Sequence, residues 1–362
     1  MSRARLRNLG IEIGDLPIGP NNAITDVPGV TVGHTTLIHD EPRIARTGVT
    51  VVMPRGGQVQ NDNVFAAYYS FNGNGEMTGL PWLEETGLLS SPVAITNTHQ
   101  VGVVRDALVE RASNRGGGWF LPVVAETYDG FLNDINAFHV TKEHVFQALD
   151  SASGGPVTEG NVGGGTGMMC HGFKGGIGTS SRVAEIGGAS FTVGVLVQAN
   201  HGHRRLLRVN GVPVGREIGS AVVPLPGRSD DGEGSIIVIA ATDAPLLPIQ
   251  CKRLVQRATV GLARTGGVGH NGSGDIFLAF STGNHPTQDS IRAGDANTGQ
   301  PIGVQMIPNH HIDPLFEATA EAVEESILNA LSAAETTTGY QGRTAHAIPL
   351  DQLQRVMECY RP

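Results

Sequence analysis

The hydrophobic pattern of the chain changes abruptly at Ser235. Residues 224–234 are rich in Gly, Pro and Asp, which is typical of an exposed loop. From Ile236 to Ile239 every residue is apolar and β-branched, which predicts a strand that is buried on both faces. A serine therefore lies where an exposed loop is expected to meet a buried strand.

The other apolar runs predict a mixture of strands and helices. Apolar and β-branched runs predict strands at 47–53, 92–96, 191–197 and 276–280. Apolar residues recur at helical spacing in the predicted helices, which are 103–112, 248–264, 314–331 and a short one around 350–357. Asp313 is expected to cap the third of these helices, and Asn210-Gly211 predicts a two-residue hairpin turn.

These elements follow no regular βαβ repeat, and several strands are apolar on both faces. Such strands need cover on each side. We therefore predict a layered α/β protein with sheets inside and helices outside. Because no long Pro/Ser-rich linker divides the sequence, residues 1–362 are predicted to form a single domain.

Composition narrows the class of protein. Fifty glycines with only 5% aromatic residues suggest many tight turns and close backbone approaches. The net charge of -9 argues against a nucleic-acid partner, since phosphates need a basic surface. No apolar run is long enough to span a bilayer, and the first residues do not look like a secretory signal. We therefore expect a cytoplasmic protein with no membrane partner.

The three cysteines also fit a reduced compartment. Cys170, Cys251 and Cys359 are far apart and form no Cys-x-x-Cys pair. This spacing argues against a disulfide framework and against a thiolate metal site.

Two candidate binding sites have weak support from the sequence. The run Gly163–Gly167 could cradle a phosphate, but no helical pattern and no Lys-Ser/Thr pair follow it. A glycine-lined site of close backbone or substrate approach fits this run better. The groups His201-x-His203 and His310-His311-x-Asp313 could bind zinc, but neither histidine pair is supported by a third ligand at a recognisable spacing. We expect no metal and no cofactor.

Two serine-based candidates remain, because the Gly-x-Ser-x-Gly nucleophile elbow of Ser-His-Asp hydrolases is absent. Ser273 and Asp275 lie two residues apart before a predicted strand, so that Asp275 could hold Ser273 by a hydrogen bond. Ser235 would gain a free α-amine beside its hydroxyl if the chain were cut before it, which combines a nucleophile with a general base. The sequence pattern alone also allows Ser235 to be an ordinary loop serine, and 271–275 to be a polar turn.

Several colinear sequence blocks along the chain favour the interpretation of Ser235 as a nucleophile. The blocks are 24–34, 47–51, 125–129, 160–168, 198–200, 234–238, 241–246 and 271–277. In these blocks the chain resembles the DmpA-type aminopeptidases (peptidase family S58). These are self-processing serine hydrolases that include the L-aminopeptidase/D-esterase and the β-peptidyl aminopeptidases.

The resemblance implies a cleavage site and a nucleophile. The precursor would cut itself between Gly234 and Ser235, which gives an α chain of residues 1–234 and a β chain of residues 235–362. Ser235 matches the nucleophile of the family, Ser273 matches its second catalytic serine, and Asp275 matches the partner carboxylate.

The resemblance also implies the rest of the site. Asn200 matches the residue that stabilises the oxyanion, and Tyr128 lies close by. Glu126 matches the carboxylate that receives the free amino group of the substrate. The implied substrates are short peptides, amides or esters with a free amino group.

The implied fold is a four-layer αββα sandwich that is similar to the N-terminal-nucleophile hydrolases and is shared with the ornithine acetyltransferases. Members of the family form tetramers of αβ units. Two other functions stay open at this point: an acyltransferase of the same fold, and a non-catalytic binding protein that keeps the fold.

Overall fold

The computed structural model describes residues 3–56, 59, 61–115, 120–227, 234–286 and 301–360. Its strands are β1 Thr31–His39, β2 Ala45–Met53, β3 Val64–Gly73, β4 Leu88–Leu89, β5 Val93–Asn97, β6 Val123–Thr127, β7 Met169–Cys170, β8 Phe173–Lys174, β9 Gly176–Ile186, β10 Ala189–Asn200, β11 Ser235–Thr242, β12 Gly274–Ser281, β13 Thr337–Thr338 and β14 Thr344–Ala345. Its helices are α1 Leu80–Thr86, α2 Val101–Asn114, α3 Lys142–Asp150, α4 Val214–Glu217, α5 Pro248–Gln256, α6 Ala258–Arg264, α7 Asp313–Ala333 and α8 Leu350–Cys359.

Most of these strands form two sheets. One has four strands in the order β1-β2-β5-β6, and the other has six in the order β4-β3-β12-β11-β10-β9. In the larger sheet, β11 pairs in parallel with β12 and antiparallel with β10. Three strands from distant parts of the chain therefore lie side by side, and β11 lies between the other two.

Three apolar clusters separate four layers. One cluster lies between α2, α3 and the four-stranded sheet, a second between the two sheets, and a third between the six-stranded sheet and α5, α6 and α7. The order of layers is therefore helix, sheet, sheet, helix, as the sequence led us to expect.

The alternation along β11 shows why this strand is apolar throughout. Ile237 and Ile239 belong to the cluster between the sheets, whereas Ile236 and Val238 belong to the cluster beneath the helices. Successive side chains of a strand point to opposite faces, so both faces of this one are buried. Ser235, the first residue of β11, has the same parity as Ile237 and Ile239.

Several details differ from the predicted elements. The predicted helix 248–264 is two helices that meet at Arg257. Asp313 is the first residue of α7, and Ile312 is its N-cap residue. Asn210 and Gly211 have φ angles of 48° and 80°, as a tight hairpin turn of this type requires, but Pro213 then leads into the short helix α4 and not into a strand.

The glycine-rich run packs against the main chain. Gly163–Gly167 is a buried 3-10 helix. A Cβ on Gly165 would lie 2.5 Å from the amide nitrogen of Ile177, so the backbone approaches closely there, as the sequence predicts. Of the loop predicted at 224–234, residues 228–233 lie outside the described residues.

Candidate active site

The start of β11 places Ser235 beside the ends of β10 and β12. Asn200, the last residue of β10, is the register partner of Ser235. On the other side, Ile236 pairs with Asp275 of β12. The structure therefore brings together three sequence segments that were predicted separately.

The hydroxyl of Ser235 is held by main chain from β12. Its Oγ accepts a hydrogen bond from the amide of Gly274 at 3.0 Å, and the residue is 6% exposed. A backbone N–H directed at this oxygen stabilises negative charge on it. The hydroxyl proton remains available for transfer to a base.

Ser273 and Asp275 form a hydrogen-bonded pair on either side of Gly274. Ser273 Oγ donates to Asp275 Oδ1 at 2.6 Å, the contact that their spacing predicts. Asp275 Oδ1 also accepts the Ile236 amide at 3.3 Å. Burial raises the pKa of Asp275 to about 6, although both hydrogen bonds oppose the shift. This carboxylate can therefore change its protonation state close to neutral pH.

Asn200 is oriented by two main-chain contacts. Its Oδ1 accepts the amide of Met169 at 2.8 Å, and its Nδ2 donates to the carbonyl of Tyr128 at 3.0 Å. A carboxamide nitrogen carries two protons, so one donor remains for an oxyanion.

Tyr128 contributes to this arrangement through its carbonyl group. The residue is 53% exposed, and its ring lies over Gly130, where a Cβ would be 2.3 Å from the phenol oxygen. The structure thus places the main chain of Tyr128 at Asn200 and the side chain at the surface.

Glu126 is a buried carboxylate near the Ser273–Asp275 pair. It accepts hydrogen bonds from the Glu76 amide at 3.0 Å and from the Thr98 hydroxyl. Burial raises the pKa of Glu126 above its ordinary value, and the two hydrogen bonds oppose this. A Cβ on Gly75 would lie 3.2 Å from Glu126 Oε1 and 3.1 Å from the Cα of Gly274, the residue between Ser273 and Asp275. Gly75 therefore lies between the carboxylate of Glu126 and the Ser273–Asp275 pair.

The sequence did not predict three groups that contribute to the candidate site: two main-chain amides and one threonine. The amides of Gly274 and Met169 carry no side-chain signal, because any residue except proline supplies an N–H. Thr98 is an ordinary polar residue at the end of a strand in the sequence. Its role becomes visible only when β5 and β6 pair and bring it to Glu126.

The histidine pairs considered as metal sites are placed differently from one another. His310 and His311 are exposed neighbours with ring centroids 4.1 Å apart. His201 is buried and is grouped with Cys170 and His171, whereas its predicted partner His203 packs against His270. Burial lowers the pKa of His201 well below its ordinary value, so the imidazole is neutral at physiological pH.

Sequence comparison shows which known proteins this chain is similar to. Residues 22–345 match the family model described as Peptidase family S58. The chain is 50% identical to beta-peptidyl aminopeptidase BapA of Sphingosinicella microcystinivorans over 99% of this chain and 92% of that protein.

Solved structures agree with the sequence comparison. A beta-aminopeptidase of Burkholderia sp. superimposes with a TM-score of 0.91 at 51% identity, over 99% of this chain and 100% of the other. The L-aminopeptidase D-Ala-esterase/amidase of Ochrobactrum anthropi, described as a prototype of the serine aminopeptidases with a variant of the Ntn hydrolase fold, gives 0.88 at 45% identity, over 98% of each chain. The predicted resemblance and fold class are confirmed. Within the part of the chain that the structure describes, no helix is long and apolar enough to cross a membrane.

Proposed function

Because the chain belongs to peptidase family S58, we propose that it is a self-processing serine aminopeptidase that acts through an acyl-enzyme on Ser235. Its substrates are short peptides, amides or esters with a free amino group. The observation that supports this most directly is the hydroxyl of Ser235, which lies at the start of β11, is bound by the Gly274 amide and is flanked by the Ser273–Asp275 pair.

Self-cleavage begins with attack of Ser235 Oγ on the carbonyl carbon of Gly234. The C–N bond between the two residues breaks as the C–O bond forms, and the nitrogen takes up a proton. Water then hydrolyses the ester, which leaves the carboxylate of Gly234 and the free amine of Ser235. The products are an α chain of residues 1–234 and a β chain of residues 235–362.

Turnover uses the same hydroxyl. The new α-amine of Ser235, or Ser273 supported by Asp275, accepts the proton as Oγ attacks the substrate carbonyl. That proton passes to the leaving amine, and water later hydrolyses the acyl-enzyme. The second Nδ2 proton of Asn200 points to a role at the oxyanion, where loss of one donor costs about 3 kcal/mol.

Glu126 supplies the requirement for a free amino group. In the described part of the chain this buried carboxylate has hydrogen-bond donors but no salt-bridge partner. A substrate ammonium group would provide the missing positive charge. An acylated amine cannot do so, which makes the enzyme an aminopeptidase and not an endopeptidase.

The test compares Ser235→Ala with Ser220→Ala, because Gly219-Ser220 repeats the dipeptide of the cleavage site at an exposed position. On a denaturing gel, the wild type and Ser220→Ala should give bands near two thirds and one third of 37.9 kDa. Ser235→Ala should stay intact and release no p-nitroaniline from aminoacyl anilides.

Two outcomes would contradict the proposal. One is active material that contains only intact chain, with no fragment beginning at Ser235. The other is normal turnover by Ser235→Ala. Adding an acceptor amine to the assay separates hydrolysis from acyl transfer, and a panel of L-, D- and β-aminoacyl anilides identifies the preferred residue.

A further inference from the structure

Three side chains of types that can bind a metal meet beside the end of the strand that carries Asn200. Cys170 ends β7, His171 follows it, and His201 follows β10. One ligand atom from each lies within 4.8 Å of the other two, and all three residues are buried. Cys170 Sγ is 3.9 Å from His201 Nδ1. We refer to these residues as the Cys-His-His cluster.

Main-chain contacts hold the cluster in place. The amide of His171 donates to the carbonyl of His201 at 2.6 Å, which joins the β7 and β10 ends. Gly202 has a φ of 88°, and a Cβ there would lie 2.5 Å from His171 Nδ1. Only glycine therefore combines this backbone conformation with this position of the imidazole ring.

A backbone carbonyl fixes the tautomer of His171. Its Nδ1 lies 3.0 Å from the carbonyl oxygen of His203. A carbonyl oxygen can only accept, so Nδ1 carries the proton and Nε2 has the lone pair. Histidine ligands of metals are commonly oriented in this way, with one ring nitrogen donating to a carbonyl and the other binding the ion.

His201 turns one ring nitrogen toward the cluster. The residue is 5% exposed, and its Nδ1 lies 3.9 Å from Cys170 Sγ. Its Nε2, which has no hydrogen-bond partner among the residues that the structure describes, is the nitrogen that keeps the proton when Nδ1 binds an ion.

We propose that Cys170, His171 and His201 bind one thiophilic divalent cation of the zinc class. A thiolate with two imidazoles is a donor set that favours zinc over magnesium or calcium, and three protein ligands leave one position open. Two ligand atoms on a tetrahedral zinc ion lie about 3.6 Å apart, which is close to the distance between Cys170 Sγ and His201 Nδ1. On binding, the ion replaces the thiol proton of Cys170, which is released to solvent.

The location connects the cluster to the proposed oxyanion residue. Met169 precedes Cys170 and donates its amide to Asn200 Oδ1, and His201 directly follows Asn200. An ion in the cluster ties together the two segments that orient Asn200. The cation site does not depend on Ser235 being the nucleophile, so either proposal can fail without the other.

The experiment uses Co²⁺ as a spectroscopic probe on the full chain. Cys359 is exposed and is first replaced by Ser, which removes adventitious thiolate binding. After treatment with a chelator, this protein is titrated with Co²⁺ and then with Zn²⁺. We expect one equivalent of Co²⁺ per chain, a thiolate-to-cobalt charge-transfer band in the near ultraviolet, and loss of the band when Zn²⁺ displaces the probe.

Two variants identify the ligand. Cys170→Ser should lose the band and bind Co²⁺ at least about tenfold more weakly. The matched control is Cys251→Ser, since Cys251 is equally buried and lies near the carbonyl of Phe65, away from the cluster. It should keep both the band and the affinity.

Binding of Co²⁺ without a thiolate band would overturn the proposal, because the exposed His310 and His311 could account for it. Equal loss in both variants would also overturn it. If Cys170→Ser does not fold, His201→Gln replaces it in the comparison, and its unchanged band and affinity would count against the site.

Discussion

A Cβ atom on Gly234 would lie 1.9 Å from the carbonyl oxygen of Asn200. No side chain fits in that space, because the neighbouring atom is main chain and cannot rotate away. Gly234 is therefore required by the packing of the residue before Ser235 against the end of β10. The same contact places the bond proposed for cleavage directly beside the proposed oxyanion residue.

Gly234→Ala should slow self-cleavage by at least about tenfold, because the clash displaces the carbonyl group that Ser235 must attack. The measurement is the fraction of intact chain against time on a denaturing gel, with circular dichroism to confirm folding. Gly219→Ala is the control, since a Cβ there has only an ordinary contact at 3.4 Å with Arg216. Cleavage of Gly234→Ala at the wild-type rate would contradict the steric argument.

The pH dependence of turnover should reflect Asp275. Only the ionised carboxylate can accept the Ser273 proton, and burial raises the pKa of Asp275 to about 6. The ionised fraction falls as the pH is lowered through 6, so kcat should fall there and level off above it. Asp275→Asn should lower kcat by about a hundredfold and remove this acidic limb.

Asp243→Asn is the control for this experiment. Burial raises the pKa of Asp243 as well, but this residue follows the far end of β11 and accepts the Thr192 amide. The Asp243→Asn substitution should leave the fall of kcat near pH 6 in place. An unchanged limb in Asp275→Asn would assign the titration to another group, such as Glu126.

Asp275 should affect stability and turnover with opposite dependence on pH: kcat rises with pH through the pKa of Asp275, whereas the free energy of unfolding falls. Between the ordinary pKa of an aspartate and about 6, the folded state binds more protons at Asp275 than the unfolded chain does. The contribution of this residue to the free energy of unfolding therefore decreases as the pH rises through that range. Comparison of wild-type and Asp275→Asn unfolding curves at several pH values isolates this contribution.

Local pattern predicted the parts of the site that are close in sequence. The apolar run after Ser235 predicted the buried strand, since such a run suits a strand covered on both faces. The two-residue spacing of Ser273 and Asp275 predicted their hydrogen bond. The choice of Ser235 over Ser220, however, came from the family resemblance, because the two dipeptides look alike locally.

Long-range pairing determines what the pattern could not predict. The Gly274 amide reaches Ser235 across 39 residues because β11 and β12 lie side by side. Similarly, Cys170 and His201 are 31 residues apart, so a search for histidines two residues apart grouped His201 with His203 instead. Contacts of this kind depend on the topology of the sheet.

Glu126→Gln should weaken recognition of the substrate amine. We expect kcat/KM for aminoacyl anilides to fall by at least about tenfold, because the amide keeps the shape but loses the negative charge. The preference for free over N-acetylated substrates should narrow at the same time. The control is Glu76→Gln, an exposed neighbour that contacts Glu126 through its amide. Equal effects of both substitutions would indicate a general electrostatic change and not a specific contact.

The buried guanidinium of Arg182 should contribute strongly to stability. Its side chain is 0% exposed and contacts Glu321 at 2.9 Å and Glu325 at 2.6 Å, which joins β9 to α7. Burial opposes ionisation of Glu325, but the charges of Arg182 and Arg7 keep the pKa of Glu325 below its ordinary value. Arg182→Met leaves these carboxylates short of a partner, which should cost about 3–5 kcal/mol.

The matched control is Arg355→Met, which removes an exposed ion pair with Asp351 within α8 and should cost no more than about 1 kcal/mol. Both substitutions are made in the Ser235→Ala background, so that every sample is a single uncut chain. Urea unfolding followed by circular dichroism gives the shift in midpoint. Similar midpoints for the two variants would show that Arg7 alone is sufficient to neutralise Glu325, and that the buried Arg182 is not needed for stability.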